Sequence, residues 1–164
     1  AMSCIEGFNK SKNNYILVMD GDGQHDPKYI KIFLKKIYQE KLDIVVGARK
    51  LFTNKIKGLS FLRKLSSQIL VIIINLLFGN KTKDPMSGFF IFKKKFYFLN
   101  KKKIYKSGFK ILLNLLYSTK KNLKIYEKKI IFKKRSKNKS KMNLNVLFHI
   151  ILSIFYYFVL NKIK

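Results

Sequence analysis

The stretch ILVMDGDGQHDPKYI, residues 16–30, carries three of the eight acidic residues of a 164-residue chain whose formal net charge is +28. Asp20, Asp22 and Asp26 directly follow the apolar run YILVM (15–19). A short apolar run ending in acidic residues is the pattern of a buried strand with chemistry at its C-terminal edge. Pro27 suits the first turn of a helix, and Ile30, Phe33, Leu34, Ile37 and Tyr38 recur behind it at helical spacing. Strand, acidic turn and helix in that order place the chain in the α/β class.

Working outward, LDIVVGAR (42–49), SGFFIFKK (87–94) and LKIYEKKIIF (123–132) read as further strands. Residues 59–78, LSFLRKLSSQILVIIINLLF, predict a long helix whose C-terminal half is apolar beyond the need of one buried face. Residues 107–119 predict a shorter amphipathic helix, and residue 1 falls in or near a helix preceding the first strand. No internal repeat or linker breaks the chain, so one domain is expected.

Composition bounds the rest. A hydrophobic fraction of 48% opposes disorder despite the charge. The single cysteine, Cys4, excludes a disulfide framework and a cysteine zinc cluster and suits a reducing compartment. Residues 1–12, AMSCIEGFNKSK, lack the apolar core of a signal peptide. Of 36 basic residues only Arg49, Arg63 and Arg135 are arginine. The lysines fit either a solvated surface or an anionic partner. The arginines are more informative, because a guanidinium binds phosphate with a planar fork that lysine lacks.

The acidic turn admits several readings. An EF-hand starting at Asp20 needs glycine at its sixth position and glutamate at its twelfth, where this chain has His25 and Lys31. A haloacid-type phosphatase needs threonine where Gln24 stands. A plain acidic turn remains open on the Asp-x-Asp pair alone. In its wider context, DGDGQHDP resembles the metal-binding turn of family 2 glycosyltransferases of the GT-A fold. Within that family it is most similar to dolichyl- or polyprenyl-phosphate mannose synthases, whose pattern is Asp-x-Asp-x-Gln-His-x-Pro. The resemblance continues in order through VVGAR (45–49), RKLSS (63–67), DPMSGFFIF (84–92), GFKILLNLL (108–116) and FKKRSKNKSKMNL (132–144). One departure is Asn138, which stands where the family has glycine. A second is that the family's N-terminal strands, one with a Tyr-Asn-Glu motif and one ending in paired aspartates, do not occur in this sequence.

The resemblance implies a partial GT-A, Rossmann-like mixed sheet flanked by helices, with a catalytic part over residues 1–141 and an apolar helix within 142–164. It implies inverting, metal-dependent transfer of a hexose, mannose from GDP-mannose, to a polyprenyl or dolichyl phosphate. Another nucleotide-sugar donor, or an inactive basic module binding membrane or nucleic acid, is the alternative. Acidic residues at a strand edge have no use in a charge-driven binder, which disfavours nucleic acid as partner. Carboxylate and amide oxygens suit Mg²⁺ or Mn²⁺. By the resemblance, Asp22 and Gln24 are metal ligands, Asp20 lies beside metal and nucleotide, and Asp84 faces the sugar or the acceptor phosphate. Arg49, Arg63, Ser67, Arg135 and Lys141 fall where the family binds phosphate, and Ser87 and Gly88 shape the turn around Asp84. Asp26 is expected to cap the helix at Pro27.

Strands missing from this sequence would be expected to pair beside residues 15–19 and 42–47, supplied by a complementing N-terminal chain or segment. The run VLFHIILSIFYYFVL (146–160) is shorter than the roughly 20 residues that span a bilayer. With flanking lysines and interleaved aromatics it predicts a helix lying at the membrane interface, and hence a peripheral protein on the cytoplasmic leaflet.

Overall fold

The structure, a computed structural model, describes residues 2–51, 61–107, 110–119, 122–131, 133 and 144–162. In chain order the elements are α1 (Met2–Lys10), β1 (Tyr15–Met19), α2 (Lys28–Gln39), β2 (Ile44–Ala48), α3 (Phe61–Phe78) and β3 (Phe89–Lys93). There follow α4 (Lys94–Asn100), a 3-10 turn (Lys101–Lys103), α5 (Ile111–Tyr117), β4 (Ile125–Lys129) and α6 (Leu144–Lys162). The strands form one mixed sheet in the order β1-β3-β2-β4. Strand β3 runs antiparallel to both β1 and β2, and β4 runs parallel to β2.

Alternation along the strands sorts the core into two layers. Phe89 and Ile91 of β3, Val45 of β2 and Tyr126 of β4 face α2, where Tyr29, Phe33 and Ile37 meet them. Phe90, Phe92, Ile44, Val46 and Ile16 face the other way, into a larger cluster built by α1, α3, α4, α5 and α6. Gly47 lets α2 approach closely: a Cβ there would lie 3.0 Å from the Phe33 ring and 3.1 Å from the Phe89 carbonyl oxygen. Phe33 and Ile37 are fully buried, and each contributes about 1.5–3 kcal/mol by removal from water.

The helices depart from expectation in three places. Helix α4 has no signal in the sequence because it turns only Phe96 and Tyr97 inward, too few to show a period. Helix α5 is shorter than 107–119 and buried along its whole length, not amphipathic, because the α3 and α6 residues of the same cluster cover it. Lys81 closes its C-terminal end, donating to the carbonyls of Leu116 (2.8 Å) and Thr119 (3.1 Å). Helix α6, at 19 residues, is longer than the apolar run inside it. By length and composition alone it could cross a membrane, so shortness does not argue against spanning. Instead, Val146, Ile150, Ile154 and Tyr157 are buried in the core, which fixes one side of α6 along the domain.

The strand order also changes the expectation about edges. Strand β2 lies between β3 and β4 and has no open edge. Among the described residues the outer edge of β1 is unpaired, and a groove of about 480 Å³ runs along it, lined by residues that include Cys4, Phe8, Ser11, Tyr15 and Leu17.

Candidate active site at the end of strand β1

Pairing of β1 with β3 carries past the last strand residue: the Asp20 amide donates to the Gly88 carbonyl at 3.1 Å. Asp20 is thereby fixed at the sheet end, and the chain reverses at once. Gly23 has φ +74°, a left-handed conformation that glycine adopts without strain. The Gln24 amide donates to Asp22 Oδ1 at 3.1 Å, closing an Asx turn. Gln24 Nε2 donates to the Lys133 carbonyl at 2.9 Å, and the Lys133 amide donates to the Gln24 carbonyl at 3.0 Å. These two bonds tie the acidic turn to Lys133. The Gln24 side chain is buried in the turn.

Asp26 starts α2 as expected. Its Oδ1 accepts the Lys28 amide at 3.1 Å, and Pro27 already has helical dihedrals. Its Oδ2 also lies 3.1 Å from Lys133 Nζ. Bonds from Lys28 and Lys133 hold the Asp26 carboxyl below the usual carboxylate range.

The Asp20 side chain is 55% exposed, and its Oδ2 lies 3.8 Å from Nε2 of the buried His25. Desolvation opposes its ionisation, yet the contact with His25 and the positive fields of Lys110 and Arg49 outweigh that effect. The Asp20 carboxyl therefore sits below its ordinary range and stays ionised at neutral pH. Gly88 also lies against it: a Cβ there would collide with the carboxylate carbon and both oxygens.

Asp84 is placed differently. It is 0% exposed and accepts a two-pronged bond from Arg49: Nε to Oδ2 at 2.7 Å and Nη2 to Oδ1 at 2.8 Å. The Arg49 amide also donates to Asp84 Oδ2 at 3.1 Å. Burial opposes the charge on Arg49, but Asp84 more than offsets it and holds the guanidinium above its ordinary value. The fork expected to grip a substrate phosphate is thus occupied by a carboxylate of the same chain, and Asp84 points into that pair rather than toward an open pocket. Neighbouring bonds fix the arrangement. Glu127 of β4 accepts from the Thr82 hydroxyl and the Lys83 amide, Ser87 Oγ donates to the Gly47 carbonyl at 2.7 Å, and Gln68 of α3 donates to the Leu51 carbonyl at 2.8 Å.

Ser67 is buried in α3, on the helix that also carries Arg63. The Arg63 side chain, Arg135 and Lys141 lie outside the described residues. Three contributors were missed in the sequence. His25 lay inside the quoted motif and had a signal there, while Lys110 and Lys133 had none, being two lysines among 36 basic residues. Among the described residues no three His, Cys, Asp or Glu side chains gather as a metal centre. The residues of the turn whose chemistry could hold a cation are two carboxylates and one amide, Asp20, Asp22 and Gln24. An all-oxygen set fits a hard divalent ion rather than zinc.

Comparison with known proteins bears on this geometry. The sequence model of the family described as "Glycosyl transferase family 2" matches residues 2–98. A dolichol-phosphate mannosyltransferase of Pyrococcus furiosus is 32% identical over 92% of this chain and 42% of its own length. A dodecaprenyl-phosphate galacturonate synthase of Rhizobium johnstonii is 37% identical over 48% of this chain and 22% of its own. Among solved structures, glucosyl-3-phosphoglycerate synthase of Mycobacterium tuberculosis in complex with UDP superposes with a TM-score of 0.65. It shares 12% identity, over 96% of this chain and 54% of that one. The same enzyme with Mn²⁺, UDP-glucose and glycerol 3-phosphate gives 0.63, over 52% of its length. At such identity the likeness shows the fold: a mixed sheet flanked by helices, as in GT-A proteins. The chain spans about half the length of these structures and less of the curated relatives.

Proposed function

The chain belongs to glycosyl transferase family 2, and from that premise we propose that it transfers a hexose from a nucleotide sugar to a polyprenyl phosphate. The observation that carries this reading is the exposed, ionised Asp20 beside Asp22 and Gln24 at the end of β1, in a chain of net charge +28. The two curated relatives share a polyprenyl phosphate in their names and differ in the sugar. The acceptor class is therefore the firmer part of the proposal. Mannose from GDP-mannose is the finer one, since the relative covering most of this chain is a mannosyltransferase.

In this reading Asp20, Asp22 and Gln24 hold Mg²⁺ or Mn²⁺, which when bound neutralises the departing nucleoside diphosphate. Asp20 lies nearest the donor. Arg63, Ser67, Arg135 and Lys141 bind phosphate, and the bonds between Gln24 and Lys133 hold Lys133 at the donor turn. A lipid monophosphate is already anionic, so positioning and charge balance dominate over general-base work. Arg49 and Asp84 act as the rigid wall that shapes Ser87 and Gly88. Displacement at the anomeric carbon in a single step gives inversion.

The acceptor places the protein at a membrane. Helix α3 exposes Ile69, Ile72 and Leu76, and α6 exposes Phe148, Ile151 and Phe155. The two helices pack together, and Lys64 and Lys162 stand near their ends. An apolar face with basic flanks suits a helix pair lying on the cytoplasmic leaflet. The open edge of β1 suits further strands that complete the nucleotide pocket, from an N-terminal segment or a complementing chain.

The test is sugar transfer to polyprenyl phosphate, measured as label entering the organic phase, with a panel of nucleotide sugars and with Mn²⁺ or chelator. The protein is this chain preceded by the N-terminal strands of its family, termed the length-matched protein. Metal-dependent transfer from one donor is expected. No transfer from any donor, alongside vesicle binding that depends only on charge, would overturn the reading in favour of a basic binding module.

A further inference from the structure

We propose that His25 is a positioning residue whose buried imidazole holds the Asp20 carboxylate in one orientation, within the space that Gly88 leaves open by lacking a Cβ. The proposal rests on the reading that Asp20 serves the cation and donor. The His25 side chain is 1% exposed although its neighbour across the turn, Asp20, is 55% exposed. Its ring packs on Phe89 at 5.0 Å, and Phe89 packs on Phe33 at 4.7 Å. Both phenylalanines are fully buried. The imidazole is therefore anchored by the contact between α2 and the sheet, and it brings the rigidity of that core to a solvent-facing carboxylate.

Chemistry favours a polar purpose for this ring. Burying imidazole nitrogens costs free energy that a phenyl ring of similar shape would not. A side chain kept only to stack on Phe89 would gain nothing from nitrogen. Nε2 lies 3.8 Å from Asp20 Oδ2, longer than a hydrogen bond but within reach of electrostatic contact with the carboxylate. The carboxylate fills the space that a Cβ at Gly88 would take, and His25 is the wall against which it settles there.

Two substitutions in the full chain separate the roles. His25→Phe keeps the stack and removes the nitrogens, while His25→Gln keeps a polar group and loses the ring. The readouts are thermal unfolding, Mn²⁺ binding by electron paramagnetic resonance, and the carboxyl-carbon NMR resonance of Asp20 without metal. His25→Phe is expected to unfold within about 2–4 °C of the parent and to bind Mn²⁺ about 10- to 100-fold more weakly, as loss of an outer-shell partner does. Its Asp20 resonance should move, and His25→Gln should recover part of the affinity. Parental Mn²⁺ affinity and an unmoved Asp20 resonance in His25→Phe would overturn the proposal. If the parent binds no Mn²⁺, the cation reading fails, and the Asp20 resonance alone then decides for or against His25. If His25→Phe does not fold, the same readings on His25→Gln decide, parental affinity and an unmoved resonance counting against a nitrogen-specific role.

Discussion

Two turns meet at one end of the sheet, each with an aspartate, and they are built in opposite ways. Asp84 is fully buried and accepts three bonds from Arg49, two from the guanidinium and one from the amide. Asp20 is 55% exposed, bounded by a glycine and an imidazole, with positive charge nearby but no two-pronged partner among the described residues. A carboxylate whose oxygens are saturated by its own chain holds structure. A carboxylate kept ionised, exposed and oriented is available for a ligand. Asp20 follows strand β1 and Asp84 precedes strand β3, yet both are aspartates at the same sheet end, so the environment, not the residue type, separates their roles.

The largest expected effect is on the closed turn. Asp84→Asn leaves the buried Arg49 charge without its counter-charge, which costs about 3–5 kcal/mol. For a domain of this size that lowers the unfolding midpoint by roughly 6–20 °C. Pairing Asp84→Leu with Arg49→Met should restore much of the loss, since a matched apolar replacement avoids the unpaired charge. A near-parental midpoint for Asp84→Asn alone would break the comparison at its structural side.

Next comes the boundary between the turns. Gly88→Ala forces the Asp20 carboxylate aside, and because that group is exposed the fold should lose no more than about 1 kcal/mol. Displacing a reacting-centre group by about an ångström costs roughly 100-fold in rate, so transfer by the length-matched protein should fall far more than stability. Melting curves and transfer rates of the same preparation settle it. A large stability loss with normal transfer would mean that Gly88 serves the fold alone.

The smallest effect is on pH. Asp20 and Asp26 have folded-state values below the ordinary 3.8. Their contribution to stability is therefore complete above about pH 4 and fades only as pH falls through the lowered values. Thermal unfolding scanned with pH should show no loss from these groups between pH 8 and 5. A decline in that window that Asp20→Asn or Asp26→Asn abolishes would contradict the electrostatics of the open turn.

Much of this was legible in the sequence, and the gaps have physical causes. Strand β1, the turn and α2 could be read because a short apolar run adjoins a period-3.6 pattern there, and the acidic turn between them supplied residues of recognisable chemistry. Helix α5 misled because its sequence looks amphipathic only until α3 and α6 cover it. The Arg49–Asp84 pair joins positions 35 residues apart, and each partner alone reads as a ligand-binding residue. Nothing local says that they satisfy each other. Lys110 and Lys133 were hidden by sheer lysine number, since only the fold selects the two that face the acidic turn.

The central claim is that the open turn serves sugar transfer by charge, and Asp22→Asn tests it most directly. Asparagine can still accept the Gln24 amide bond that shapes the turn, so only the negative charge is removed. In the length-matched protein, assayed for label passing from nucleotide sugar to polyprenyl phosphate, transfer should fall by about 100-fold or more. The unfolding midpoint should stay within about 2 °C of the parent. Full transfer by a folded Asp22→Asn protein would contradict the account.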